Sequence, residues 1–75
     1  MKKKLSDMRP AEKGRIIDID SSIRASVAGM GIRTGEELKV ATEQPIRGPV
    51  VIVVKGRETS LGRGLAKSIL VECEE

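Results

Sequence analysis

Pro49-Val50-Val51-Ile52-Val53-Val54-Lys55-Gly56-Arg57-Glu58-Thr59-Ser60-Leu61 is the stretch whose reading decides the fold. Val50 to Val54 is the longest unbroken apolar run of the chain, and every member is β-branched. Such side chains are stiff at χ1 and suit a pleated surface, so the run predicts a strand. Its unbroken apolarity predicts a central strand covered on both faces. Lys55-Gly56-Arg57 supplies a turn with Gly56 free to take positive φ, and Glu58 to Leu61 returns as the partner strand. A lone hairpin cannot bury itself, so the remainder of the chain must cover it.

Upstream, Lys2 to Lys4 reads as a frayed terminus, with Leu5 and Met8 as apolar anchors and Pro10 to Lys13 as a turn. Gly14 to Asp20 predicts the first strand. Period two puts Ile17 and Ile19 on one face and Ile16 with Asp18 and Asp20 on the other, unless a bulge reorients Ile16. Asp20-Ser21-Ser22 is a cluster of N-cap residue types, and Ile23, Val27 and Met30 follow at helical spacing, predicting a short amphipathic helix from Ser22 to Met30. Gly31 stands where a left-handed residue closes a helix. Arg33 to Glu36 is a turn around Gly35, and Glu37 to Glu43 alternates as a half-buried strand with Leu38 and Val40 inward. Gln44 to Pro49, with two prolines and Gly48, is loop. Gly62 to Lys67 allows one helical turn, and Ile69 to Cys73 is the last strand, with Ile69 and Val71 on one face. The expected fold is mainly β: a small antiparallel barrel of five strands, one short helix between the first and second, and a helical turn before the last.

Composition narrows what such a domain can do. Seventy-five residues make a single domain, 1–75, whose core supplies only about 3–5 kcal/mol of net stability. There is no Phe, Tyr or Trp, so the core must be aliphatic. Cys73 is the one cysteine and there is no histidine; no internal disulfide can form, and the imidazole favoured by zinc is missing. No apolar segment approaches the ~20 residues of a membrane span. Met1 to Lys4 would suit the start of a secretory signal, but Ser6, Asp7, Arg9 and Pro10 follow where its apolar region should be. A lone thiol fits a reducing compartment. The expected location is cytoplasmic, without membrane insertion. Fourteen basic against eleven acidic residues leave a formal charge of +3, mostly interspersed apart from Lys2 to Lys4 and the acidic tail Glu72, Glu74, Glu75.

Several residues also match a known pattern. Leu5 and then Gly14-Arg15-Ile16 open it. Met30-Gly31-Ile32 follows, then Gly35 and Leu38; Pro45, Gly48-Pro49, Gly56 and Leu61 mark the central hairpin, and Ala66 and Ile69 the close. In order and spacing the chain resembles, over nearly its whole length, the FeoA family of small cytoplasmic accessory proteins of bacterial ferrous iron uptake. The chain departs from that family at Ala11, where Gly is frequent, and at Ala25-Ser26 before Val27, where the family often carries basic residues; Arg24 is the nearest replacement. The resemblance implies an SH3-like barrel that associates with the large membrane ferrous transporter, whose cytoplasmic part binds GTP. The same module occurs fused to metal-responsive DNA-binding regulators; this stretch has no room for a helix-turn-helix, so the standalone form is expected.

The candidate chemistry is sparse. Ser60 and Ser68 have no orienting base, so no enzymatic site is expected and no cofactor is implied. Gly64-Leu65-Ala66-Lys67-Ser68 echoes a phosphate-binding loop, but Ala66 and Leu61 stand where that motif needs glycine. Asp18, Asp20, Glu72 and Glu74 are the acids a metal-sensing alternative would use, against their reading as solvated strand faces. A nucleic-acid barrel is the other alternative; without aromatic residues to stack bases it would have only the non-specific attraction of Lys2 to Lys4, and no nucleic-acid partner is expected. The absent aromatics equally disfavour polyproline ligands. What remains is a docking surface: Ile46 and Arg47 at a loop tip bracketed by prolines, Arg57 in the hairpin turn, Arg63 in a glycine-flanked turn, and Arg24 with Val27 on the helix. Ile46 has no evident core role and leads this set. The expected function is a non-enzymatic adaptor docking on the transporter's GTP-binding part; weak self-association is left open.

Overall fold

The protein's computed structural model describes residues 1–74; Glu75 of the acidic tail lies outside them. Six strands form one antiparallel sheet: β1 (Lys2–Lys4), β2 (Lys13–Ile19), β3 (Glu37–Val40), β4 (Val50–Val54), β5 (Arg57–Leu61) and β6 (Ile69–Cys73). Their order across the sheet is β1-β6-β2-β3-β4-β5. A short helix α1 (Arg24–Ala28) lies between β2 and β3, and the helical turn α2 (Arg63–Ala66) precedes β6. The mainly β, antiparallel architecture is the expected one, with a sixth strand added.

That strand is Lys2–Lys4, which is not frayed. It pairs with β6 through Lys2–Glu72, Lys3–Val71 and Lys4–Leu70. Ladder bonds come from the main chain and need no apolar side chain, while lysines suit an exposed sheet edge. The Met1 ammonium meets Glu72 at 2.7 Å, and Lys3 donates to Glu12 at 2.8 Å. Glu12 also accepts the Arg9 main-chain N–H at 2.8 Å, so one carboxylate joins the edge strand to the turn before β2. Lys3 first, and then that N–H, hold its carboxyl below the usual range. Leu5 and Met8 are buried anchors, as expected.

The core is wholly aliphatic apart from Cys73, and no polar side chain is buried among the described residues. β2 reaches it through a bulge: its register to β6 shifts between Ile16 and Asp18. Ile17 is the extra residue and is left half-buried, while Ile16 and Ile19 both point inward. Simple alternation, which paired Ile17 with Ile19, fails for that reason. β4 lies inside the sheet between β3 and β5, but Val51 and Val53 on its outer face are only half-buried, so two-sided burial is not reached.

The helix is shorter than Ser22 to Met30. Asp20 accepts hydrogen bonds from the Ser22 N–H at 2.9 Å and hydroxyl at 2.7 Å, forming a turn ahead of the helix instead of capping it. At the other end Ile32 N–H reaches the Val27 carbonyl and Gly31 N–H the Ala28 carbonyl, with Gly31 at φ +80°. This Schellman closure swings Ile32 onto Val27, and both are fully buried. Ile32 thereby takes the core place expected of Met30, which is 43% exposed.

β2 and β6 cross in very close contact. A Cβ built on Gly14 would stand 2.5 Å from Val71 Cγ1 and 2.7 Å from the Glu72 carbonyl oxygen. The second is main chain and cannot step aside, so Gly14→Ala should cost about 1–3 kcal/mol of stability by urea denaturation; a change below about 0.5 kcal/mol would refute the close approach. Ala11 presents the opposite case, an L-residue held at φ +69°. Ala11→Gly should stabilise the domain by about 0.5–1 kcal/mol in the same assay, and a loss would show that the conformation carries no strain.

Candidate functional site

Between β3 and β4 the chain leaves the sheet and returns through residues 41–49. The Gln44 side chain holds this excursion: its amide donates to the Ala41 and Val51 carbonyls at 2.9 and 2.8 Å, and its carbonyl accepts the Val51 N–H at 2.9 Å. The glutamine thereby stands in for a strand beside Val51. Sequence reading passed over it, because a glutamine in a proline-flanked loop carries no pattern of its own. At the tip, Gly48 N–H closes a turn onto the Pro45 carbonyl at 3.3 Å, and Arg47 takes φ +58°. Gly48 lies tight beneath the Pro45 ring. Ile46 is 94% exposed on this braced turn, with the exposed Arg47 beside it.

Arg57 lies at the opposite end of β4. The hairpin turn is Lys55-Gly56, with φ +53° and +75°; Arg57 is already in β5, paired with Val54. Two positive-φ residues match the right-handed twist of the flanking strands, which explains the two-residue turn. Four strand steps at about 3.3 Å put roughly 13 Å between the two ends of β4, so the Ile46 loop and Arg57 form no single cluster. Arg57 instead faces the end of α1 across an open groove of about 460 Å³, lined by Ala28, Met30, Arg33, Val54 and Thr59 among others. Arg33 is a groove residue the sequence did not single out. Period two counted back from the buried Leu61 would have put Thr59 and Arg57 on the core-facing side of β5.

The remaining candidates separate. Val27 is fully buried, so it anchors α1 and offers a partner no surface. Arg24 is exposed but turned back, donating to the Ile19 carbonyl at 3.0 Å. Arg63 opens α2 two residues after Leu61, which pairs with Val50, and it does not line the groove. Among the acids, Asp20 is occupied by Ser22, whose hydroxyl and N–H lower its pKa, and Glu72 by the N-terminal ammonium, which lowers its own. Among the described residues no three carboxylate or thiol groups converge as a metal would need. Burial raises the Cys73 thiol, an inert core position. No helix among the described residues is long and apolar enough to cross a membrane.

Comparison with known proteins gives these surfaces a context. The family model described as the FeoA domain matches residues 3–73. A curated protein of Methanocaldococcus jannaschii, provisionally named Fe(2+) transport protein A, is 42% identical over 59 residues, covering 79% of this chain and 70% of its own. The crystal structure of an iron uptake regulatory protein (FeoA) superposes with a TM-score of 0.86 at 32% identity, covering 99% of both chains. Zinc-complexed FeoA of Stenotrophomonas maltophilia, described as an SH3 domain protein, superposes with a TM-score of 0.74 at 19% identity, covering 96% of this chain and 89% of that one. The last match bears on the fold alone, and the fold is SH3-like.

The loop geometry separates brace from tip. Gln44→Ala should cost about 1–3 kcal/mol, because it leaves the Val51 N–H unpaired, whereas Ile46→Asp should change stability by less than about 0.5 kcal/mol. Urea denaturation of both variants checks this, and comparable losses would mean that Ile46 packs into the fold.

Proposed function

The chain belongs to the FeoA domain family, and from that premise we propose that it is a cytoplasmic, non-enzymatic accessory of ferrous iron uptake that docks on the GTP-binding part of a membrane iron transporter. The relatives' association with iron transport supports the first half of this reading. The observation that carries the second half is Ile46, an aliphatic side chain 94% exposed on a turn held by Gln44 and Pro45. A large exposed apolar residue on a flexible loop would have to be ordered on binding, costing about 0.5–1.5 kcal/mol per immobilised side chain. Here the main chain is already fixed. Arg47 beside it adds a guanidinium suited to a carboxylate at the rim of the contact.

Immobilising the GTP-binding domain of the transporter and titrating this protein tests the reading. Saturable binding by the wild type is expected. The double variant Ile46→Asp, Arg47→Glu should weaken it by about tenfold or more, the effect of losing a central anchor. Absence of wild-type binding, or a double variant that binds equally well, would sink the proposal.

A further inference from the structure

The groove at the far end of β4 is a second surface, beyond the Ile46 loop, and its chemistry stands apart from the transporter reading. β5 is the last strand of the sheet, and no strand pairs with its outer edge among the described residues. The two edges of the sheet differ. β1 carries three consecutive lysines, the residue that guards edges against pairing, with Lys3 tied down to Glu12. β5 has neither lysine, proline nor bulge, and its register to β4 is continuous from Val54–Arg57 to Val50–Leu61.

The register also fixes what the groove presents. Val50, Ile52 and Val54 pair with Leu61, Thr59 and Arg57 and share their face. Leu61 is fully buried in the core, Thr59 half-buried, and Arg57 exposed where the core gives out. A guanidinium at a core-facing register position ordinarily finds an acid or turns away. The Arg57 guanidinium has no hydrogen bond or ion pair among the described residues, and the same holds for the Arg33 guanidinium across the groove. The nearby Lys55 is paired with Glu36 at 3.0 Å, which leaves the two arginines as the uncommitted cations there. Met30, displaced from the core by Ile32, lines the same groove, an adaptable side chain of the kind frequent at peptide-binding surfaces. Glu58 is the single acid on the groove.

We propose that this groove receives an extended acidic segment of a partner protein, which adds as a further strand to the free edge of β5, sets an apolar side chain on Met30 and pairs its carboxylates with Arg33 and Arg57. Strand addition supplies affinity through main-chain bonds and specificity through alternate side chains. Period two puts an apolar residue and the acids two positions to either side of it on one face, the face that meets the groove. The occupant is marked as acidic because the free charges facing it are guanidinium groups, which bind carboxylates in forked pairs.

The probe is a synthetic peptide, Thr-Asp-Thr-Leu-Thr-Glu-Thr, whose Asp, Leu and Glu share one strand face, titrated into the isotope-labelled full chain and followed by amide resonances. Saturable shifts are expected at residues 28–33 and 54–59, together with slowed hydrogen exchange of β5 amides. Arg33→Glu and Arg57→Glu should each weaken binding by about tenfold or more, while Arg63→Glu and Ile46→Asp leave it unchanged. The same peptide with lysine in place of every acid should not bind. Equal binding of the lysine peptide, or an Arg57→Glu variant that binds like wild type, overturns the proposal. So does an equal response to inorganic phosphate without protection of β5, which would reduce the groove to general anion attraction. Because the assay contains no transporter and Ile46→Asp serves as a neutral control, its failure is separate from failure of the docking loop.

Discussion

Everything in this domain depends on how close β6 comes to β2. With Gly14 in place, the Val71 side chain and the Glu72 main chain occupy the space a Cβ would need. β6 can then pair with β2 on one side and β1 on the other, and the two ends of the chain close into one sheet. The Ile17 bulge shifts the register beyond this contact, so that β2 goes on pairing with β6 while Ile19 stays in the core. A core of this size has little stability to spare, so a separation imposed at Gly14 would loosen β1, the Glu12 turn and the Val71 layer together.

The parts of the fold written in side-chain pattern were legible in the sequence. The Val50–Val54 strand, its return to Leu61, the Leu5 and Met8 anchors, the final strand and the left-handed Gly31 all follow from periodicity or turn chemistry. What escaped was written elsewhere. β1 is carried by main-chain hydrogen bonds, and three lysines give no period to read. Met30 was assigned inward by an ideal helix repeat, which a Schellman closure interrupts by two residues, whereas the bulge that brings Ile16 inward is the alternative the strand pattern had left open. Val27 was grouped with Arg24 as a helix contact, yet it is the buried residue by which the five-residue helix packs on the core. The Ile46 tip was visible because prolines isolate it. The groove was not, since it joins residues from α1, the turn after it and the hairpin.

Strain is distributed unevenly over the turns. Ala11 and Arg47 both sit at positive φ without being glycine, a conformation that costs L-residues about 1–2 kcal/mol. Ala11 is enclosed by structural bonds: its N–H donates to the Val40 carbonyl, and Glu12 next to it accepts from Arg9 and Lys3. The turn there is over-determined and the strain is absorbed by the fold. Arg47 has no such enclosure, and the turn around it rests on one 3.3 Å bond and the Gln44 brace. The Arg47 side chain is exposed, so packing does not offset the strain of a position suited to glycine.

β4 explains why the two surfaces differ in kind. The strand is paired on both sides and buried on one face, so a partner meets freely presented groups mainly where it begins and ends. Its start presents a convex apolar tip, and its end a concave groove, set on one rigid element roughly 13 Å apart. A tip and a groove on the same molecule invite head-to-tail contact between copies, which would propagate into open filaments unless the rotation closed it. Charge works against that pairing. Seating Ile46 of one copy on Met30 of another would bring Arg47 against Arg33 and Arg57, three cations with only Glu58 to offset them. Like charges brought together in a contact cost several kcal/mol, so the basic flank of Ile46 disfavours that head-to-tail pairing.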